Sequence, residues 1–309
     1  MARQLSDRAT TIAEFVTVTL IWGSTWLVIK GQLGSVPAAW SVTYRFVIAG
    51  AVLTAVTAAT GRWRALPWQG HAFAVVIGVV QFMANFNLVY AAEATLTSGL
   101  VALCFALLVV PNTLFARVFL GTRLTARFAV GTLLGIAGML LLFGPDLAAA
   151  SGRATAMGLG LVVIAVVSAS IANVLQAGGL ARSLPPQTTL ALSMLYGAAI
   201  DAVYALATAG PPVFDPRPEY WAGMLYLALG ASVVAFTLYY RLIRRIGPGL
   251  AAYSSVVVPV VALFLSTLFE GYRLTWLAAS GAALALAGLV VALSGRVPAA
   301  PRENPDTPG

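Results

Sequence analysis

The sequence predicts an all-α integral membrane protein whose ten transmembrane helices form two inverted five-helix repeats. Three observations predict it. Of 309 residues 60% are hydrophobic and 9% charged, against about 25% charged in an ordinary soluble domain. The apolar residues gather into ten runs, each near the roughly 20 residues that a hydrocarbon core about 30 Å thick requires. A register shift of 150 residues lays one half of the chain on the other.

The first run, Ile12–Leu33, follows a polar segment with Arg3 and Arg8 and has no small-residue cleavage site, so it reads as a retained helix and not as a signal peptide. It is followed by Pro37–Ala59, His71–Ala92, Leu96–Leu120 and Arg127–Gly144, with short polar or Pro/Gly-rich breaks between them. The second set is Thr155–Ala177, Pro186–Thr208, Glu219–Ile243, Gly249–Phe269 and Thr275–Ser294. Segments 12–144 and 155–294 are thus two five-helix units, and the proline-rich tail 295–309 is too polar and short to pack and is expected to be disordered.

Arginine sets the orientation, because short cytoplasmic loops retain Lys and Arg. With the N-terminus inside, thirteen basic residues fall on the cytoplasmic side and three, Arg153, Arg217 and Arg273, outside; Lys30 and Arg45 belong to helices. Both termini are therefore expected in the cytoplasm, with the chain multi-pass in the cell membrane, the inner membrane in a bacterium. The net charge of +8 does not signal nucleic acid, since the basic residues are scattered singly between apolar runs.

Under the 150-residue shift Gly99, Leu100 and Ala102 meet Gly249, Leu250 and Ala252. Further on, Phe119, Gly121, Arg123, Leu124 and Thr125 meet Phe269, Gly271, Arg273, Leu274 and Thr275, and Ala129, Gly131, Leu134, Ala137 and Gly138 meet Ala279, Gly281, Leu284, Ala287 and Gly288. Five helices is an odd number, so the second unit enters the membrane upside down, the arrangement of many secondary transporters. Alternating access follows from that symmetry.

The first run carries Trp22-Gly23-Ser24-Thr25-Trp26, the second Tyr44-Arg45-Phe46, and the fourth opens Leu96-Thr97-Ser98-Gly99-Leu100 ahead of Pro111. With the five-plus-five repeat, the chain from Ile12 to Ser294 resembles the EamA family of the drug/metabolite transporter superfamily. The resemblance implies a permease, often an exporter of amino acids, metabolites or toxic compounds, with a cavity lined by both halves.

Polar side chains in mid-span are the first functional candidates, because hydrocarbon makes them costly. Trp22 and Trp26 share a face of helix one, with Ser24 beside them; Gln81 and Asn85 are four apart in helix three. Helix six adds Ser170 and Asn173, and helix nine adds Tyr253, Ser254 and Ser255. Aromatic walls with a few convergent amides suit an organic solute with a planar or apolar body and a polar end. The bland alternative is that the amides only join helices.

Arg45 and Asp201 each lie about seven residues, roughly 10 Å of helical rise, below the outer end of their helices. Equal depth makes them candidates for a gating pair; alternatively Asp201 takes up a coupling proton. Lys30, Glu14, Glu93 and Glu270 lie near span ends, where snorkelling explains them. Pro111 and Pro259 are expected to kink helices four and nine. Gly131, Gly135, Gly281 and Ala285 form small-xxx-small faces for packing within the chain or in a homodimer.

His71 is the one histidine and Cys104 the one cysteine, and no cluster with metal-ligand spacing exists, so neither a metal nor another cofactor is expected. Gly158-Leu159-Gly160 is not a phosphate loop and no Walker motif is present, so a gradient is expected to drive a small organic solute through a lipid-embedded chain. The competing readings are a flippase for a lipid-linked or other amphiphile and, further off, a membrane-embedded lipid-modifying enzyme. An enzyme would need paired carboxylates or an activated nucleophile, which the sequence lacks.

Overall fold

A computed structural model describes residues 2–294 apart from 33, 35, 97, 150, 151 and 270–274. Glu270, the tail 295–309 and the side chains of Trp26 and Lys30 lie outside the described residues. Inside a bilayer no water satisfies backbone polar groups, and these apolar runs are accordingly helical. The helices are α1 (Ala2–Gln32), α2 (Ala38–Ala59), α3 (Trp68–Glu93), α4 (Ser98–Ala106 and Val109–Leu120) and α5 (Ala126–Ala149). They continue with α6 (Arg153–Ala177), a five-residue helix at Gly179–Ser183, α7 (Pro186–Ala209), α8 (Pro218–Ala251), α9 (Tyr253–Phe269) and α10 (Trp276–Ser294). Among the described residues seven helices are long and apolar enough to cross a membrane, and Tyr253–Leu265 and Trp276–Ala292 are shorter apolar helices.

The ends of these helices follow local chemistry. Pro37, Pro67 and Pro218 stand at helix starts, where the missing N–H is no loss. Gly121 ends α4 with φ of 64°, and Gly247, at φ 83°, breaks α8 just before Pro248. The polar segment before Ile12 extends α1 backwards, which hydropathy could not register because residues 7–10 are exposed. Pro111 lies in α4. It cannot donate to the Leu107 carbonyl, which instead accepts from Val110 N–H at 2.9 Å, and the helix is interrupted one turn before the proline. Pro259 lies within the continuous α9.

Two helices depart from α geometry in mid-span. Gly78–Ala84 of α3 and Tyr226–Val234 of α8 are π-helical, and the two segments end 150 residues apart. Each is a widened turn that leaves flanking α-helix intact on both sides.

The packing is organised in matched contacts. Helix α2 lies along α7, and α5 along α10; α1 crosses α8 and α9, while α6 crosses α3 and α4. The small residues foreseen as packing faces join α5 to α10 inside one chain. A Cβ on Gly138 would stand 2.5 Å from the Ala285 backbone nitrogen, and one on Gly281 2.6 Å from the Gly138 carbonyl oxygen, so the two backbones touch. At the α3–α7 crossing, a Cβ on Gly197 would stand 2.6 Å from the carbonyl oxygen of Gly78. Gly138→Val is expected to cost about 3 kcal/mol or more through overpacking, read as a lower unfolding temperature in detergent. Gly144→Ala, which meets nothing within 4 Å, is expected to leave it unchanged.

Candidate functional site

Helices α1, α2, α3, α4, α6, α8 and α9 surround a cavity of about 120 Å³. Its aromatic wall is built around Trp22, which meets Phe236 edge-on at 5.4 Å and Tyr239 at 4.8 Å between ring centres. Phe86 and Phe105 face it from the first half of the chain. Gln81 and Asn85 on α3, Asn173 on α6 and Arg45 on α2 supply the polar groups. Asn173 donates to the Tyr239 hydroxyl at 3.3 Å. The side-chain oxygens of Gln81 and Asn85 are buried without a hydrogen-bond partner.

The π-helical segments anchor this wall. A π turn shifts the bonding from i−4 to i−5, and carbonyls of both segments accept from side chains of neighbouring helices. The Trp22 indole N–H donates to the Ala231 carbonyl in the α8 segment at 3.1 Å. On the other side the Ser168 hydroxyl, from α6, donates to the Val80 carbonyl in the α3 segment at 2.6 Å. Ser232 donates to the Leu227 carbonyl five residues back at 2.9 Å and accepts from Arg45 Nε at 2.9 Å.

Arg45 and Asp201 do not form the ion pair that equal depth suggested. Helices α2 and α7 do pack together, but Thr43 is the residue on α2 that donates to Asp201 Oδ2, at 2.8 Å. Two positions on a helix are about 200° apart, so Arg45 points away from the partner that Thr43 faces. Asn87 Nδ2 donates to Asp201 Oδ1 at 2.5 Å, and the carboxylate is fully buried.

Arg45 is 2% exposed and faces the cavity instead. Its guanidinium carbon lies 4.6 Å from the Phe86 ring centre and 5.3 Å from that of Phe46. The Tyr90 hydroxyl is its electrostatic neighbour but stands outside hydrogen-bond geometry, and Arg45 Nη1 has no partner. A buried charge without a counter-ion costs several kcal/mol in order of magnitude, partly offset here by about 1–2 kcal/mol from the aromatic faces.

Other expected residues fall elsewhere. Ser24 joins α1 to α8, its hydroxyl 2.5 Å from that of Tyr226 and 2.8 Å from the Ile21 carbonyl. Ser254 donates to the Ala251 carbonyl three residues back at 2.9 Å, and Tyr253 joins α9 to α5 through Thr132 at 2.9 Å and by packing on Phe128; neither lines the cavity. Ser170 is buried off the cavity with its hydroxyl unpartnered, and neither Pro111 nor Pro259 lines the cavity. Ser255 does line it, as do Phe86, Phe105, Phe236 and Tyr239, four aromatics that a hydropathy reading absorbs into the lipid-soluble run.

The two ends of the bundle are closed differently. At one end Glu14, which is buried and not snorkelling, bridges α1 to α8 through Arg245 at 3.3 Å and Arg241 at 3.8 Å. At the other end Tyr44 stacks on Phe214 at 5.3 Å and donates to the Val213 carbonyl at 3.0 Å, and Phe214 stacks on Trp221 at 6.2 Å. Asp215 pairs with Arg217 at 2.6 Å in the same loop, and its hydrogen bonds push the Arg217 guanidinium above its ordinary pKa.

Comparison with known proteins agrees with this architecture. The profile of the EamA-like transporter family matches residues 10–144 and again 156–294. A protein named as an uncharacterized inner membrane transporter, YedA of Escherichia coli K12, is 30% identical over 265 residues, covering 84% of this chain and 83% of YedA. Protein PagO of Salmonella typhimurium LT2 is 23% identical over 264 residues, 84% of this chain and 85% of PagO. A crystal structure 23% identical in sequence superposes with a TM-score of 0.76 over 92% of this chain and 97% of its own, so the fold is shared. Two matched segments that together span most of the sequence place the chain in the EamA-like transporter family: it is a membrane transporter.

Proposed function

We propose that the chain is a gradient-driven secondary transporter of the inner membrane that moves a small organic solute by alternating access between two inverted five-helix halves. The cavity carries this reading, because its lining comes from α1 to α4 on one side and from α6, α8 and α9 on the other. The halves run over 12–144 and 155–294. The double family match supports them, as do the paired packing of α2 with α7 and α5 with α10 and the π segments that end 150 residues apart. A cavity lined by seven helices, with the polar groups of Arg45, Gln81, Asn85 and Asn173 converging on it, favours a soluble solute over a lipid.

The two end closures supply the gates. The arginine asymmetry puts the Glu14–Arg241–Arg245 bridge on the cytoplasmic side and the Tyr44–Phe214–Trp221 stack outside. Both closures join α1 or α2 to α8 or its preceding loop, so each crosses between the halves. Asp201, buried between Thr43 and Asn87, is the carboxylate placed to exchange a coupling proton as α2 and α3 move against α7.

Proteoliposomes tested with labelled amino acids and other small aromatic solutes, with and without an imposed pH gradient, are expected to show saturable flux. Trp22→Ala and Asn85→Ala should lower it at least tenfold; absence of flux for every solute, with the protein intact, would turn the reading toward an amphiphile. Asp201→Asn is expected to keep solute exchange while losing the response to the pH gradient. An unchanged response would remove Asp201 from coupling. Glu14→Gln is expected to raise cytoplasmic-side labelling of a cysteine placed at Ala169 several-fold, in a background without Cys104, and equal labelling would argue against an inner gate there.

A further inference from the structure

Resting on the transporter reading, we propose that the solute is an organic anion whose carboxylate pairs with Arg45 and whose planar or apolar body lies against Trp22, Phe86 and Phe236.

Arg45 is the one charged residue among the described residues that line the cavity, and no carboxylate lines it. The acid nearest to hand by depth, Asp201, is bonded to Thr43 and Asn87. The cavity therefore has a net positive charge and no internal counter-ion. A cationic solute meets repulsion there, and a neutral one leaves the guanidinium unpaired in a low-dielectric site, where every uncompensated charge is costly. A carboxylate resolves both.

The guanidinium is also oriented for such a partner. Its Nε is held by Ser232 at 2.9 Å, and Ser232 is itself fixed by the Leu227 carbonyl of the π segment. The guanidinium carbon lies over the Phe86 ring, 4.6 Å from the ring centre. That leaves Nη1, buried and unpartnered, as a free donor of a planar fork whose geometry matches a carboxylate. The Trp22 ring is held by its own hydrogen bond to Ala231, and with Phe236 it forms an apolar surface for the remainder of the solute. The fold holds the Arg45 side chain through Nε and has the Tyr90 hydroxyl as its electrostatic neighbour, while Nη1 stays without a protein acceptor.

The test uses the purified full-length protein and three probes with one body and different heads: 3-phenylpropionate, its neutral amide 3-phenylpropanamide and the cation 3-phenylpropylamine. Binding is read as ligand-dependent shifts of the unfolding temperature, and flux is read separately in proteoliposomes. The expected result is saturable binding of the carboxylate at least tenfold tighter than of the amide or the amine. Arg45→Met should abolish that preference while the unliganded protein unfolds at the same or a higher temperature, since a buried unpaired charge has gone. Ser232→Ala keeps the charge but frees its orientation, and should weaken carboxylate binding about threefold or more with the fold intact, which keeps the test decisive if Arg45→Met does not fold.

Equal or tighter binding of the amide or amine, a carboxylate preference that survives Arg45→Met, or no saturable binding of any probe would overturn the proposal. Saturable flux of the amine without carboxylate binding would do so while leaving the transporter reading standing. Arg45-dependent carboxylate binding with no flux of any solute would keep the site and remove the transporter reading.

Discussion

The whole molecule answers to one constraint: within hydrocarbon, a backbone N–H or C=O that the helix does not use must find its partner inside the protein. Regular helix meets that constraint by itself, so the informative places are where the helix is irregular. The Ala231 and Val80 carbonyls of the π turns accept from Trp22 and Ser168, and next to the break at Gly247 the Pro248 carbonyl accepts from Asn112 at 3.1 Å; Val80 and Pro248 accept these bonds in addition to the backbone N–H groups of Asn85 and Ala252. Each of these side-chain bonds runs between different helices. Irregular backbone thus becomes the set of fixed points at which the helices around the cavity are tied together.

The same constraint bears on side chains, some of which are satisfied within the fold while others keep unpartnered atoms both at the cavity and away from it. Thr43, Asn87 and Asp201 satisfy one another, as do Tyr253 and Thr132, and these groups lie away from the opening. Arg45, Gln81 and Asn85 keep unsatisfied atoms, and all three line the cavity. Polar groups left incomplete in a bilayer are expensive. The convergence of Arg45, Gln81 and Asn85 on one space is what gives that space a chemical character.

Helices were legible because hydropathy over some 20 residues integrates a strong signal, and Pro37, Pro186 and Gly121 mark boundaries with local chemistry. Trp22, Gln81, Asn85 and Asn173 were legible as well, being polar or amphipathic in the middle of apolar runs. Phe86, Phe236 and Tyr239 were not, since an aromatic ring in such a run looks the same whether it faces lipid, core or cavity. The Arg45–Asp201 pairing failed for a different reason: position along a helix gives depth, while the choice of partner depends on azimuth, and Thr43 held the azimuth that faced Asp201. Glu14 was misread similarly, because its two arginines come from α8, some 230 residues away in sequence. The π turns left only glycines at Gly78 and Gly230 as a trace.

The seam between α5 and α10 has a mechanical meaning. Backbone packed on backbone at Gly131, Gly138, Gly281 and Gly288 has no compliant side chains to absorb a shift. Sliding one helix past the other by a single turn would drive bulkier neighbours such as Leu134 and Leu284 into spaces shaped for a hydrogen atom. The seam is therefore a stiff keel, in which a displacement of one helix must carry the other along with it.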